Sequence, residues 1–297
     1  MVILQGIIGI FASWRVVFMR EVGVAAVQLR PRRPGEALED VARLVSEARR
    51  LDADIICLPE AWNVVNPYSQ FLEAVDAYGY VVGVLSRLAE ENGVCILGGG
   101  LYKRRGEGGY VIACPVVNAC GELAGEQLKV HLFKDEKNRF RRGDEFRVFE
   151  FHNVRFGVLI CHDIVYPESA RELVLRGAEV IFNPSRIVSS GVGAWHIYAR
   201  ARSLENRTPV VAVNVVLNRR YGGGSLVLGL LRRGRGILYP VTLAEVSGDE
   251  GVAAAKVDVD EYLEARAERL SNRHPRAYRS LLEGNPIFGG DDMRGKV

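Results

Sequence analysis

The sequence predicts an α/β protein built around mixed sheets, and three observations carry that prediction. Short runs of Val, Ile, Leu and Ala recur between Pro, Gly and Asp, as strands buried on both faces do. Longer segments with apolar positions at helical spacing separate several of these runs. Elsewhere two runs are divided only by a tight turn, which makes an antiparallel hairpin rather than a crossover. Both kinds of connection in one chain point away from a purely parallel, doubly wound sheet.

The elements follow in order. Val22–Leu29 is Val-rich and stops at a Pro- and Arg-rich stretch, so it reads as the first buried strand. Glu36–Leu51 places Leu38, Val41, Leu44, Val45 and Ala48 on one helical face. Asp54–Leu58 is a second buried strand, closed by Pro59. Phe71–Glu90 reads as a single helix ended by Gly93, and Val94–Leu97 as a strand before Gly98, Gly99 and Gly100. Tyr110–Ala119 and Leu123–Lys129 form a hairpin around Cys120 and Gly121. Lys134–Asp144 is polar and aperiodic, hence a loop. Phe146–Phe151 and Arg155–Ile160 are strands around His152 and Asn153. Pro167 opens a helix that Gly177 caps. Val180–Phe182 is a strand, Ala194–Glu205 a helix and Pro209–Val216 a strand. Leu226–Leu230, Gly236–Tyr239 and Val252–Val257 supply the last strands before a helix over Asp260–Leu270. No repeat or linker splits the chain, so one domain is expected from about residue 20 to about residue 270, followed by a polar tail over 271–297.

Composition narrows the function. The 297 residues are 48% hydrophobic and 25% charged, which excludes a disordered chain and a multi-span membrane protein. A net charge of +3 with no basic run longer than the three residues Lys103-Arg104-Arg105 gives no reason to expect a nucleic-acid partner. Residues 1–14 carry no charge, yet Arg15 ends the run before it is long enough to span a bilayer. It also lacks the basic start and cleavage site of a signal peptide. Translation is therefore expected to start at Met19, with an apolar partner-binding arm as the alternative. The five cysteines include no C-x-x-C pair and the five histidines no metal-ligand spacing. A reducing, cytoplasmic setting without structural metal or cofactor is expected. Only six of the 39 basic residues are lysines, so each lysine raises the question of why Arg would not serve.

Three residues at strand ends are candidates for chemistry. Glu60 follows a buried strand and Pro59, where burial can tune a carboxylate into a base; alone it reads better as a solvated rim glutamate. Lys129 ends an apolar run and offers a compact ammonium to a thiolate or oxyanion; alone it reads equally as an edge-strand lysine. Cys161 lies between a strand and a helix, a turn that suits a nucleophile; alone it reads as a buried structural thiol. Cys57, Cys95 and Cys114 fall within apolar strands and are expected to be structural, whereas Cys120 belongs to an exposed turn.

Taken together and in order, Leu58-Pro59-Glu60, Lys129-Val130-His131-Leu132 and Cys161-His162-Asp163 with Pro167-Glu168 resemble the nitrilase superfamily of carbon–nitrogen hydrolases. Glu136-Lys137, Asn183-Pro184-Ser185, Arg202 with Glu205-Asn206, and Gly224-Ser225 agree with that resemblance, which runs from about Val22 to about Asp258. It implies a four-layer α-β-β-α sandwich, a homodimer and a catalytic triad of Glu60, Lys129 and Cys161, with Glu136 helping to position the substrate. It also implies acyl transfer through a thioester, with Lys129 and the His162 backbone N–H holding the oxyanion. Cys161-His162-Asp163 looks like the amidase and carbamoylase side of the superfamily rather than the Cys-Trp-Glu of nitrilases. The expected substrate is thus a small aliphatic amide or N-carbamoyl compound. A nitrile substrate, or ammonia supply to a separate synthetase, is the alternative. Trp62, Tyr68, Arg186, Trp195 and His196 are expected to shape the pocket. Arg186 suits a substrate carboxylate, or else a surface ion pair.

Overall fold

In the computed structural model, which describes residues 20–234 and 237–283, two mixed sheets lie face to face with helices on their outer sides. The first half of the chain supplies β1 (Glu21–Gln28), α1 (Pro34–Arg50), β2 (Ile55–Cys57), α2 (Phe71–Asp76), α3 (Tyr78–Asn92), β3 (Cys95–Leu97), β4 (Leu101–Arg105), β5 (Gly109–Val117) and β6 (Leu123–Leu128). The second half supplies β7 (Val148–Phe151), β8 (Val154–Val158), α4 (Pro167–Leu175), β9 (Val180–Pro184), α5 (Val192–Asn206), β10 (Val210–Val213), β11 (Val216–Leu217), β12 (Tyr221–Arg233), β13 (Ile237–Ser247), β14 (Gly251–Asp258) and α6 (Leu263–Ser271). One sheet runs β14-β1-β2-β3-β5-β4 with β6 added on β5, and the other runs β11-β12-β10-β9-β8-β7 with β13 added on β12. Each has a parallel centre, β1-β2-β3 and β10-β9-β8, flanked by antiparallel strands.

The strand period of two builds the four layers. Val24, Ala26, Ile55 and Cys57 point inward and meet Phe156, Val158, Phe182 and Val211 of the other sheet. The alternate residues Ala25, Val27, Ile56 and Leu58 point outward and pack with Leu38, Val41 and Val45 of α1 and Val81 and Leu85 of α3. On the far side Ile181, Val210 and Ala212 pack with Leu173 of α4 and Ala199 of α5. This is the α-β-β-α sandwich that the resemblance implies, and it explains why the central strands are apolar throughout rather than alternating.

Three local readings change. The helix expected over 71–90 is two helices joined at Ala77. Ala74 and Val75 of α2 belong to the core between the sheets, whereas Val81 and Leu85 of α3 belong to the outer core, and one straight helix cannot serve both. Phe71 fixes α2 by packing edge-on against Tyr110 and Phe140 and at a tilt against Tyr102. β4, which sequence reasoning passed over, pairs antiparallel with β5. The loop over 134–144 contains a 3-10 turn at Lys134–Asn138. Residues 1–19, and with them the question of a start at Met19, lie outside the described residues.

Candidate active site

Glu60 stands just past the C-terminal end of β2. Its backbone N–H donates to the Ser185 carbonyl of the second sheet at 3.2 Å, and the Ala61 N–H donates to Gly100 O at 2.8 Å. The chain turns sharply there, with Ala61 at φ +47°. The side chain fits because Gly100 lacks a Cβ: one placed there would sit 2.8 Å from Glu60 Cγ. Gly99 is equally constrained, since its φ is +75° and an added Cβ would lie 1.9 Å from the Pro59 carbonyl oxygen.

Lys129 follows β6, and its side chain has no exposed surface. Its Nζ donates to Glu60 Oε1 at 2.8 Å and to Glu136 Oε1 at 2.9 Å. An ammonium has three N–H groups, so one remains for a third acceptor. Glu136 is itself oriented, because its Oε2 accepts the Phe133 backbone N–H at 2.8 Å. The two glutamates therefore converge on one buried cation.

Cys161 opens a 3-10 turn, Cys161–Val165, beyond the end of β8. Its φ of +47° is a left-handed conformation that costs a non-glycine residue roughly 1–2 kcal/mol. Neighbouring groups hold it there. Asn183 at the end of β9 donates Nδ2 to the carbonyls of Leu159 and Cys161. Its Oδ1 accepts from Trp195 Nε1 at 2.7 Å and Ser185 Oγ at 2.9 Å. Asp163 accepts the Ile160 N–H at 3.0 Å and the His131 N–H at 2.7 Å, tying the cysteine turn to the strand end that carries Lys129. Arg202 of α5 donates to the carbonyls of Ile164 and Val165.

The electrostatics are mutual. Burial pushes the Cys161 thiol well above its ordinary value and Glu60 adds to this, while Lys129 and a hydrogen bond from the Arg186 backbone N–H pull the other way. The balance favours the thiol over the thiolate at rest. Burial works against the Lys129 ammonium, but Glu60, Cys161 and Glu136 outweigh it and hold its pKa above the usual lysine value. Burial and Glu60 raise Glu136 despite Lys129. Burial and Lys129 lower His162, which favours a neutral ring.

Glu60, Glu136 and Cys161 line one cavity of about 600 Å³, with Lys129 behind them. Tyr102, Phe140 and Tyr221 supply apolar wall, and Tyr68, Arg139 and Arg186 are also in the lining. Of the five expected pocket residues, the structure brings Tyr68 and Arg186 to the cavity. Trp62, Trp195 and His196 lie elsewhere. Trp62 is fully buried in the outer core and donates Nε1 to Gly98 O. Trp195 is on the buried face of α5 and bound to Asn183, so it supports the cysteine turn from behind. His196 Nε2 is engaged with Gly224 O at 2.7 Å. The His162 ring packs edge-on against Phe133 and Tyr166 rather than entering the lining.

Arg186 is anchored more firmly than the sequence suggests. Its Nη1 donates to the carbonyls of Ala61 and Val64 and its Nη2 to Val65. The guanidinium also lies 4.8 Å from the Tyr221 ring centroid. Nε is buried with no partner among the described residues, so Nε–H and one Nη2–H remain. Sequence reasoning quoted Asp163 and Asn183 within motifs without giving them a task, and it missed Tyr102 and Phe140. A turn signal at Gly106, Gly108 and Gly109 marks the β4–β5 hairpin and would have brought Tyr102 into view.

The sequence model of the family described as Carbon-nitrogen hydrolase matches residues 23–261. The chain belongs to the carbon–nitrogen hydrolase family of the nitrilase superfamily. It is 27% identical over 263 residues to an omega-amidase of Xenopus tropicalis, covering 82% of this chain and 90% of that protein. It is 33% identical over 211 residues to a nitrilase of Pyrococcus abyssi, covering 67% and 77%. A carbon–nitrogen hydrolase from Helicobacter pylori G27 shares the fold with a TM-score of 0.79 at 23% identity, covering 89% of this chain and 98% of that one. As a member of this family the protein is a hydrolase of carbon–nitrogen bonds. Among the described residues, no helix is long and apolar enough to cross a membrane.

Proposed function

We propose that this hydrolase cleaves small amides, or N-carbamoyl compounds, that carry a carboxylate at their far end, through a thioester on Cys161. The observation that supports the chemistry best is the buried Lys129 ammonium held between Glu60 and Glu136 at the cavity that Cys161 lines. Glu60 takes the Sγ proton as Sγ attacks the carbonyl carbon. The developing oxyanion meets the remaining Lys129 N–H and the His162 backbone N–H. That amide precedes the first hydrogen bond of the cysteine turn, Asp163 N–H to Ile160 O, and so has no partner within the turn. Glu60 returns the proton to the leaving nitrogen, the C–N bond breaks and a thioester remains. Glu60 then deprotonates a water that attacks the thioester, releasing the acid and restoring the thiol.

Arg186 supports the acidic substrate. Its remaining Nη2–H suits a carboxylate oxygen, and Arg139 and Arg220 add positive charge to the same cavity. An omega-amidase among the relatives agrees with this reading. We further propose a homodimer. The exposed apolar side chains of Ile197 on α5 and Tyr239 and Leu243 on β13 belong to elements that pack together, and they offer a face for a second copy.

Ammonia release tests the substrate class, using neutral aliphatic amides, carboxylate-bearing ω-amides, N-carbamoyl amino acids and nitriles. The ω-amides or N-carbamoyl acids are expected to give the highest kcat/KM. Turnover of nitriles with no amide turned over would replace this reading with a nitrilase.

A further inference from the structure

A second cavity lies away from the catalytic one and shares no lining residue with it. It has a volume of about 720 Å³, and five arginines converge on it: Arg171 of α4, Arg207 at the end of α5, Arg232 of β12, Arg269 of α6 and Arg273 just beyond. The carboxylates in its lining are Glu264 and Glu268, so the lining carries a net charge of +3, five positive minus two negative. Among the described residues, none of the five guanidinium groups has a carboxylate within 4.0 Å. Some arginines elsewhere do have such partners, as Arg20 does with Glu179 and Asp260 and Arg202 does with Glu205, but these five are gathered in one concave site.

Arg171 is half-buried, and its Nη2 is spent on the Glu205 carbonyl at 2.9 Å. Its Nη1 is buried with no hydrogen-bond partner among the described residues, a state that costs free energy for a charged donor. Burial and the facing charges of Arg269 and Arg273 lower Arg171 from the usual arginine value, and burial and Arg269 do the same to Arg207. Like charges gathered in a concave, partly desolvated site repel one another unless an anion joins them. Planar guanidinium groups match the oxygens of phosphate in particular, with two N–H groups per contact.

We propose that this arginine cavity is a binding site for a multiply charged oxyanion of the phosphate type, free or as a phosphate ester, separate from the catalytic cavity. Such a ligand supplies acceptors for Arg171 Nη1 and neutralises the cluster formed by α4, the end of α5, β12 and α6. Because it binds the folded chain, it also stabilises the fold by mass action.

Isothermal titration of the full chain with inorganic phosphate, at constant ionic strength with chloride as the control anion, tests the proposal. One phosphate per chain is expected. The double variant Arg269→Gln/Arg273→Gln should weaken binding about tenfold or more while leaving ammonia release from amides unchanged. Arg232→Gln, on an exposed strand position, provides a second variant with the same direction of effect. Arg139→Gln, at the catalytic cavity, should leave phosphate binding intact. Absence of phosphate binding overturns the proposal, because the cluster is then either simply solvated or covered by another part of the chain or a second copy. Binding that survives in both cluster variants, or that disappears with Arg139→Gln, overturns it as well.

Discussion

Replacing Lys129 by Met should convert a compensated buried charge cluster into two buried carboxylates with no cation. The Lys129 side chain is 0% exposed, that of Glu60 6% and that of Glu136 25%. Methionine keeps most of the stem volume, so the loss is mainly electrostatic. Removing one partner of a buried pair costs about 3–5 kcal/mol, and the partial exposure of Glu136 places the expected loss near the lower end, about 3 kcal/mol at neutral pH. The cost must depend on pH. Burial and Glu60 already raise the folded-state pKa of Glu136, and without Lys129 the two carboxylates cannot both ionise cheaply. An acid whose folded pKa exceeds its unfolded value binds its proton more tightly when folded, so stability falls as pH rises from the unfolded value through the folded one. The gap between Lys129→Met and the parent should therefore be small near the ordinary glutamate pKa and reach its full size by neutral pH. Urea unfolding followed by fluorescence of the buried Trp62 and Trp195, at several pH values, measures this gap. A variant as stable as the parent at neutral pH, or a gap that does not change with pH, would mean that Lys129 does not compensate the two carboxylates.

Further outcomes follow from the same geometry. Lys129→Arg should reduce kcat/KM by about a hundredfold or more, because a broad guanidinium cannot occupy the closed space between Glu60, Glu136 and Cys161; steady-state ammonia release reads this. Arg186→Ala should raise KM for carboxylate-bearing amides about tenfold, or about 1.4 kcal/mol, beyond any change for neutral amides, and equal changes would discard the carboxylate grip. Iodoacetamide should modify Cys161, which lines the open cavity, before Cys57, Cys95 and Cys114, which are buried. Labelling of Cys161 should quicken as pH rises, since its thiol is held above the ordinary value; peptide mass mapping follows both.

The parts of the fold legible in the sequence are those set by local pattern. The apolar runs at Val22–Leu29 and Asp54–Leu58 gave their strands, and Pro167 and Gly93 marked helix ends that the structure places at Pro167 and Asn92. The single helix over 71–90 failed because its periodicity does not reveal that α2 and α3 bury their apolar faces in different cores. The site was legible only as ordered short motifs at strand ends, and the fold draws Glu60, Lys129, Glu136 and Cys161 together from distant parts of the chain. The pocket was less legible, since which side of an element faces the cavity is decided by tertiary packing. Trp195 and His196 are adjacent on α5, yet one supports Asn183 and the other engages Gly224. Asn183 works through hydrogen bonds to backbone carbonyls, which no residue pattern announces.

Rapid-quench mass spectrometry of the enzyme mixed with an excess of an accepted amide shows whether a thioester forms on Cys161. An acyl adduct is expected in the first turnover, equal to the substrate less its leaving amine and confined to the peptide that contains Cys161. A folded Cys161→Ala protein should form no adduct and release no ammonia. Ammonia release at the parent rate by Cys161→Ala, or an adduct on another residue, would contradict it.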